Sequence, residues 1–407
     1  MDSLTSKLKA LGVQVGTQHI PQPVKPDSLS IEAIIPQGFY RQTMHGEIFC
    51  IDHLYAPDYI HGQVPLQLTA PLDMLAAWSG QLEAASLAPS DFAFLDTETS
   101  GLAGGTGTFA FLVGVARFLE NGFTLTQFFM RSPADEPALL TALTEYLASC
   151  KAIVTFNGKS FDAPILNTRY TLQGFTSPLP GLYHFDLLSL ARKLWRDRLP
   201  SRALGFLEPN ILGIGRSDDE IPGYLVPEYY LDYLHTGDAT LMKGVLYHND
   251  LDITSLAALM CHTAALLADP FSPSTLPGLD LAALARLFED LKQYETAIRL
   301  FEKSLAEGMP PDFYWKTVER FATLFKKQQN WPAAVDLWAR AADHGDDYAF
   351  LELAKYYEHV AKDKPMAIHW TQAAIDRINA TCTSPYMRNY LLEEPMKRMA
   401  RLQKRGV

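Results

Sequence analysis

Two carboxylates, Asp96 and Glu98, sit one residue apart in FAFLDTETSGLAGGTGT, where an apolar run gives way to a glycine-rich loop. Side chains alternate between faces along a strand, so Asp96 and Glu98 can project together while Thr97 points away. Such a pair suits a metal. A two-cation site needs several acids converging on one point, one of them bridging ions held about 3.5–4 Å apart. Two other stretches offer the remaining ligands. In FNGKSFDAPIL, Asn157 opens a turn after an apolar run and Asp162 lies just inside the following helix. In LYHNDLDITSLAALM, His248 and Asp252 are four residues apart and share a helical face. Hard oxygen donors favour Mg2+ or Mn2+, and two such ions can hold the attacking and leaving oxygens of a phosphodiester.

The elements that must position these acids are readable from periodicity. FAFL, FAFLVGVARF and FTLTQFFM form three strands, the last two joined at Glu120-Asn121-Gly122. DEPALLTALTEYLAS has helical spacing, AIVTF is a fourth strand, SFDAPILNTRYTLQ suits a helix, and LYHFDLL is a fifth strand. Hairpin strands followed by strands alternating with helices describe an α/β fold: a mixed five-stranded sheet covered by helices, over residues 91–268. Ahead of it, residues 1–35 read as a loose arm rich in proline. Residues 36–90 read as a small extension, a hairpin and then a helix near PLDMLAAWSG, with no chemistry attached.

Beyond a linker at 269–278, residues 279–407 are helical and repetitive. LARLFEDLKQYETAIRLFEKSLAEG resembles FATLFKKQQNWPAAVDLWARAADHG, and LAKYYEHVAKDKPMAIHWTQAAIDR repeats the pattern. Ala297, Ala334 and Ala367 fall at equivalent positions, 37 and 33 residues apart. That period, with small residues where two helices cross, resembles tetratricopeptide repeats, whose helical hairpins stack into a solenoid and offer a surface to a protein partner.

Bulk composition sets limits. Hydrophobic residues make up 48% of the 407, enough for packed cores. Four scattered cysteines, Cys50, Cys150, Cys261 and Cys382, show neither disulfide nor zinc spacing, and the first residues lack the apolar core of a signal peptide. No run of eighteen uninterrupted apolar residues occurs, so a membrane span is not expected and a cytoplasmic location is the default. The net charge is −11, and the acidic excess lies in the first 270 residues. A polyanion must therefore meet this half through a local basic stripe and bound cations. Arg192, Lys193, Arg196, Arg198 and Arg202 form its densest basic stretch; with Lys159 they could contact phosphates, and Trp195 could stack on a base.

D-x-E after the first strand, N-x3-F-D in the middle, and an aromatic or histidine shortly before a last Asp are the motifs of DEDD-type 3′–5′ exonucleases, which have the RNase H-like fold. LDTETSGLAGGTGTFAFLVG, FNGKSFDAPIL, FDLLSLARKLW, LGIGRSDDEIPG and HNDLDITSL resemble more closely the YprB-like family of predicted exonucleases, which often carries tetratricopeptide repeats downstream. The resemblance implies that Asp96, Glu98, Asp162 and Asp252 bind metal, that two ions of Mg2+ or Mn2+ serve as cofactors, that DNA or RNA is the substrate, and that degradation runs 3′ to 5′. One departure concerns the base. The family places His five residues, or Tyr four residues, before the last Asp; here Tyr247 and His248 are in swapped order. Helix phase favours His248, four before Asp252, as the group serving the attacking water, with Tyr247 and Asp250 as rivals.

Each residue also has a structural reading: a strand end for Asp96 and Glu98, a first-turn carboxylate for Asp162, a packed histidine for His248, a solvated helix face around Arg196. GGTGT at 104–108 is not followed by Lys and Ser/Thr, which speaks against a nucleotide-binding P-loop. Asp96, Glu98, Asp162, His248 and Asp252 are thus the candidate catalytic set, with Asn157, Lys159, Arg192 and Arg196 as nucleic-acid contacts. The competing expectation is a nucleic-acid-binding or protein-docking module on the same fold without turnover.

Overall fold

The computed structural model describes residues 28–101, 107–215, 221–273 and 275–404. Most of the arm assigned to residues 1–35, positions 104–106 of the glycine-rich loop and the segment RSDDE at 216–220 lie outside the described residues.

The strands are β1 (Phe39–Thr43), β2 (Gly46–Tyr55), β3 (Ile60–His61), β4 (Val64–Pro65), β5 (Phe92–Thr99), β6 (Ala110–Leu119), β7 (Gly122–Phe129), β8 (Ala152–Thr155) and β9 (Tyr183–Asp186). Seven of them form one mixed sheet in the order β1-β2-β7-β6-β5-β8-β9, with β3 and β4 as a separate pair. Neighbours are antiparallel from β1 to β5 and parallel from β5 through β8 to β9. Five strands are those expected from periodicity. The two additional ones come from residues 39–55, read above as a separate extension. β2 pairs with β7 from Phe49↔Phe129 to Tyr55↔Phe123, which buries Ile48, Phe49, Cys50 and Ile51. Nothing local in the sequence marks a strand whose partner lies some seventy residues away.

Six helices cover the sheet: α1 (Asp73–Ser79), α2 (Glu136–Leu147), α3 (Asp162–Leu172), α4 (Leu187–Trp195), α5 (Val226–Thr236) and α6 (Met242–Ala268). Alternation along β5 assigns the two faces. Phe92 and Phe94 join the core beneath α4 and the second half of α6. Ala93 and Leu95 join the core beneath α2 and α3. α6 is long and apolar enough to cross a bilayer by composition, yet 72% of its most apolar window is buried in the fold. Its second half is core, with Leu256, Ala257, Ala258, Leu259 and Met260 at most 1% exposed.

Beyond residue 277 come three helical pairs: α7 (Gly278–Asp290) with α8 (Tyr294–Glu307), α9 (Pro311–Lys327) with α10 (Trp331–His344), and α11 (Asp347–His359) with α12 (Lys364–Thr381). A final helix, α13 (Pro385–Lys404), is pinned where Arg398 and Arg401 grip the Glu358 carboxylate. Ala297, Ala334 and Ala367 are all fully buried, where only a small side chain lets two helices approach. The turns inside the pairs repeat as well. Lys292, Gln329 and Lys362 share the alanines' spacing and all adopt left-handed backbone, with φ of 62°, 57° and 57°. α7 lies on α4. Leu190 and Leu194 share one core with Leu281 and Leu284, and Arg198 Nε donates to Asp280 Oδ1 at 2.7 Å.

α6 crosses the sheet at Gly114 of β6. A Cβ there would overlap Asn249 Oδ1 and Ile253 Cδ1, so the first half of α6 reaches the strand backbone only because this residue has no side chain. Gly114→Ala should therefore cost about 1–3 kcal/mol, the usual penalty for overpacking a core. Urea unfolding checks this, and an unchanged midpoint would contradict the packing described.

Candidate active site

β5 pairs with β8 only from Phe92 to Phe94, whereas its pairing with β6 continues through Glu98↔Leu112 and a register shift to Thr99↔Ala110. Asp96 and Glu98 therefore lie inside a strand rather than beyond its end. Past Phe94 their edge of β5 is not paired with β8, and both are half-buried there.

Asp96 lies in a row across the sheet with Gly114 and Gln127. Asn249 of α6 sits over Gly114 and joins the row's ends. Its Nδ2 donates to Asp96 Oδ2 at 2.9 Å, and its Oδ1 accepts from Gln127 Nε2 at 2.9 Å. Gln127 Nε2 also donates to the Leu246 carbonyl at 2.8 Å, locking α6 in rotation. Asn249 and Gln127 are 0% and 3% exposed. Neither was singled out in the sequence. The available signal was the lone glycine inside the β6 run.

Asp162 is the first residue of α3 and is buried. It comes from the opposite face to Asn249 and Asp252. Thr97, whose side chain leaves β5 away from Asp96, donates from Oγ1 to Asp162 Oδ1 at 2.5 Å. The acids thus wrap around the end of β5 from both faces. The loop before α3 is held by Asp186, which accepts from the Asn157 N–H at 2.8 Å, the Lys159 N–H at 3.1 Å and the Leu188 N–H at 3.1 Å. Asn157 takes left-handed backbone, φ 68°, a conformation that asparagine tolerates better than most residues. On the neighbouring strand the His184 Nε2 pairs with Thr155 Oγ1 at 2.9 Å.

The four acids share one electrostatic field. Desolvation, then the Asp162, Glu98 and Asp252 charges, hold the Asp96 carboxyl well above the usual carboxylate range. Desolvation, then Asp252 and Asp162, do the same to Glu98. Burial pushes Asp162 up to about 6 against the Thr97 hydrogen bond. The hydrogen bonds reaching Asp96 and Asp162 come from neutral donors, and no cationic side chain is a main influence on either, or on Glu98. Among the described residues no three His, Cys, Asp or Glu side chains are drawn close enough together to hold a metal ion as they stand. Like charges in low dielectric push one another apart, and either protons on the acids or a cation among them offsets that repulsion.

His248 Nε2 lies 3.8 Å from Asp252 Oδ2, so the two share a face as helix phase required. Both line a cleft of about 510 Å³ with Asn157, Arg192 and Arg202. The rivals are elsewhere. Tyr247 is 54% exposed. Asp250 points to β2, where its Oδ2 meets His53 Nδ1 at 2.8 Å and its Oδ1 accepts from the Tyr55 hydroxyl. Residues 39–55, given no chemistry from sequence, thus anchor the helix that carries His248 and Asp252.

Of the nucleic-acid contacts, Lys159 and Arg192 are exposed, and Arg196 projects outward with 72% of its side chain exposed. Trp195 is core rather than a stacking platform: it is 2% exposed, with its ring 6.4 Å from that of His262 on α6. Arg198 is engaged by Asp280.

Residues 93–264 match the RNase_H superfamily. This domain is therefore an RNase H-like fold, a nuclease-type architecture. The chain is also 35% identical, over 297 residues, to the "Uncharacterized protein YprB" of Bacillus subtilis (strain 168); the match covers 72% of this chain and 70% of that one. The chain belongs to the YprB family. A family B DNA polymerase from the hyperthermophilic archaeon Pyrobaculum calidifontis resembles it at 16% identity and a TM-score of 0.31, over 49% of this chain and 29% of the polymerase.

Asn249→Ala leaves Gln127 and Asp96 without their buried partner and should cost about 1–3 kcal/mol in chemical unfolding; a neutral result would contradict the network. A second outcome follows from Asp250. Its hydrogen bond raises the His53 pKa against desolvation, so this contribution to stability is full below the unfolded value near 6.5 and fades as pH rises through the folded value. Asp250→Asn should lower the thermal midpoint more at pH 5.5 than at pH 9. Equal losses at both would show that the pair adds nothing ionic.

Proposed function

We propose that this protein is a metal-dependent 3′–5′ exonuclease acting on DNA or RNA. The observation that carries the reading is the shared field of Asp96, Glu98, Asp162 and Asp252 at the free edge of β5, with His248 on the face of Asp252 beside an arginine-lined cleft. The donor set fits two Mg2+ or Mn2+ ions: it is all oxygen and anionic, and the hydrogen bonds on Asp96 and Asp162 come from neutral groups. Asp96, Glu98, Asp162 and Asp252 would hold them, with Asp96 oriented by Asn249 and Asp162 by Thr97. When bound, the ions acidify the attacking water and stabilise the leaving 3′ oxygen. His248, on the same helix face as Asp252, would take the proton from the attacking water. Asn157, Lys159 and Arg192 position the phosphates flanking the scissile bond, without reading base identity. The polarity of digestion rests on the motif resemblance. The helical pairs offer a further surface for a protein partner.

The test uses 5′-labelled single-stranded DNA and RNA with Mn2+, Mg2+ or EDTA. We expect a metal-dependent ladder shortening from the 3′ end, reduced at least about a hundredfold in Asp96→Ala and Asp252→Ala. The wild type should also gain about 2.7 kcal/mol of stability at a cation concentration a hundred times the dissociation constant, and Asp96→Asn should lose most of that gain. Binding of a strand with no cleavage under any cation would favour the alternative of a binding module without turnover.

A further inference from the structure

A second hollow, of about 410 Å³, opens between α4 of the nuclease-like domain and α7 and α9 of the helical pairs. It is lined by six cationic side chains, Arg192, Lys193, Arg196, Arg202, Arg286 and Arg320, against one acid, Asp290. Two of them, Arg192 and Arg202, also line the cleft that holds His248 and Asp252, so the two hollows adjoin. The excess of positive charge is local, in a chain whose net charge is −11.

The arginines keep unused donors. Arg192 makes no hydrogen bond or ion pair among the described residues. Arg202 gives one Nη to the Leu199 carbonyl at 2.9 Å, while its buried Nε has no hydrogen-bond partner there. Arg286 commits one Nη to Asp197 at 2.5 Å, and Arg320 places Nε on Glu289 at 2.6 Å and Nη2 on Asp290 at 3.4 Å. Each guanidinium has five N–H donors in a planar fork, so most of this capacity remains for phosphate oxygens. Counter-acids at the wall hold the arginines apart from one another without filling the groove.

We propose that the first helical pairs are part of the substrate path: a single nucleic-acid strand with its end at the carboxylates runs over Arg192 and Arg202 and lies with its phosphates on Arg286 and Arg320. This rests on the nuclease reading for the strand's end. The path makes the enzyme length-sensitive. A strand of a few nucleotides reaches only the carboxylate cleft, whereas a longer one also engages the helical pairs, and each phosphate contact adds to the salt dependence of binding.

Binding of 5′-labelled 4-mers and 20-mers, DNA and RNA, is measured by fluorescence anisotropy with the full-length protein, Ca2+ replacing Mg2+. Arg286→Gln/Arg320→Gln should weaken the 20-mer at least tenfold more than the 4-mer, and should flatten its log–log salt slope by about 1.4, roughly 0.7 per lost contact. Arg320→Gln alone, whose partners lie within the helical pairs, should show about half the slope change. The double Lys variant should restore the slope, and Lys397→Gln, remote on α13, should change nothing. Equal losses on both lengths, or an unchanged slope, overturn the path, as does preferential capture of an acidic peptide such as poly-glutamate by the same arginines. The two readings fail separately. Length- and arginine-dependent binding without cleavage under any cation sinks the nuclease and keeps the path; cleavage of long strands indifferent to Arg286 and Arg320 does the reverse.

Discussion

A missing side chain governs the arrangement of this domain. Gly114 leaves a gap in the middle of the sheet, and α6 descends into it until Asn249 bridges Asp96 and Gln127. That contact sets the depth and rotation of α6 together. Once Asn249 is seated, helix periodicity turns His248 and Asp252 toward the open end of β5 and Asp250 toward β2. The long apolar half of α6 then completes the core on the same face.

The electrostatics follow from that placement. Four acids share one field, and two of them are held by neutral donors, an amide on Asp96 and a hydroxyl on Asp162. An arginine at either position would discharge the site into an internal ion pair; an amide orients a carboxylate and leaves its charge for a cation. The basic groups stand instead at the rim, on α4, α7 and α9. Negative centre and positive rim reconcile an acidic chain with a polyanionic ligand.

Motif residues were legible because each motif is local. DTETS and FNGKSFD each place an acid against a strand end or a helix start that periodicity alone reveals, and i,i+4 spacing suffices to put His248 beside Asp252. The supporting residues were not legible. Gln127 and Asn249 look like an ordinary polar residue in a strand and in a helix until the sheet register brings Gly114 between them. Residues 39–55 read as an appendage because a strand's partner is a tertiary fact. Trp195 failed as a stacking platform for the same reason: its exposure depends on distant elements, and its ring lies buried 6.4 Å from that of His262 on α6.

The sequence by itself determined the α/β order of elements, the helical pairs beyond residue 277, and the set of acids and the histidine to which the chemistry is here proposed to belong, because alternation, helix phase and repeat period are properties of neighbouring residues. Only the tertiary structure decided that the sheet has seven strands, that Asp162 approaches from the face opposite Asp252, that Asp250 is spent on His53 and Tyr55, and that Arg286 and Arg320 stand beside Arg192 and Arg202. Those facts depend on which distant surfaces are buried against each other, and burial is settled by the packing of the whole chain rather than by any one stretch of it.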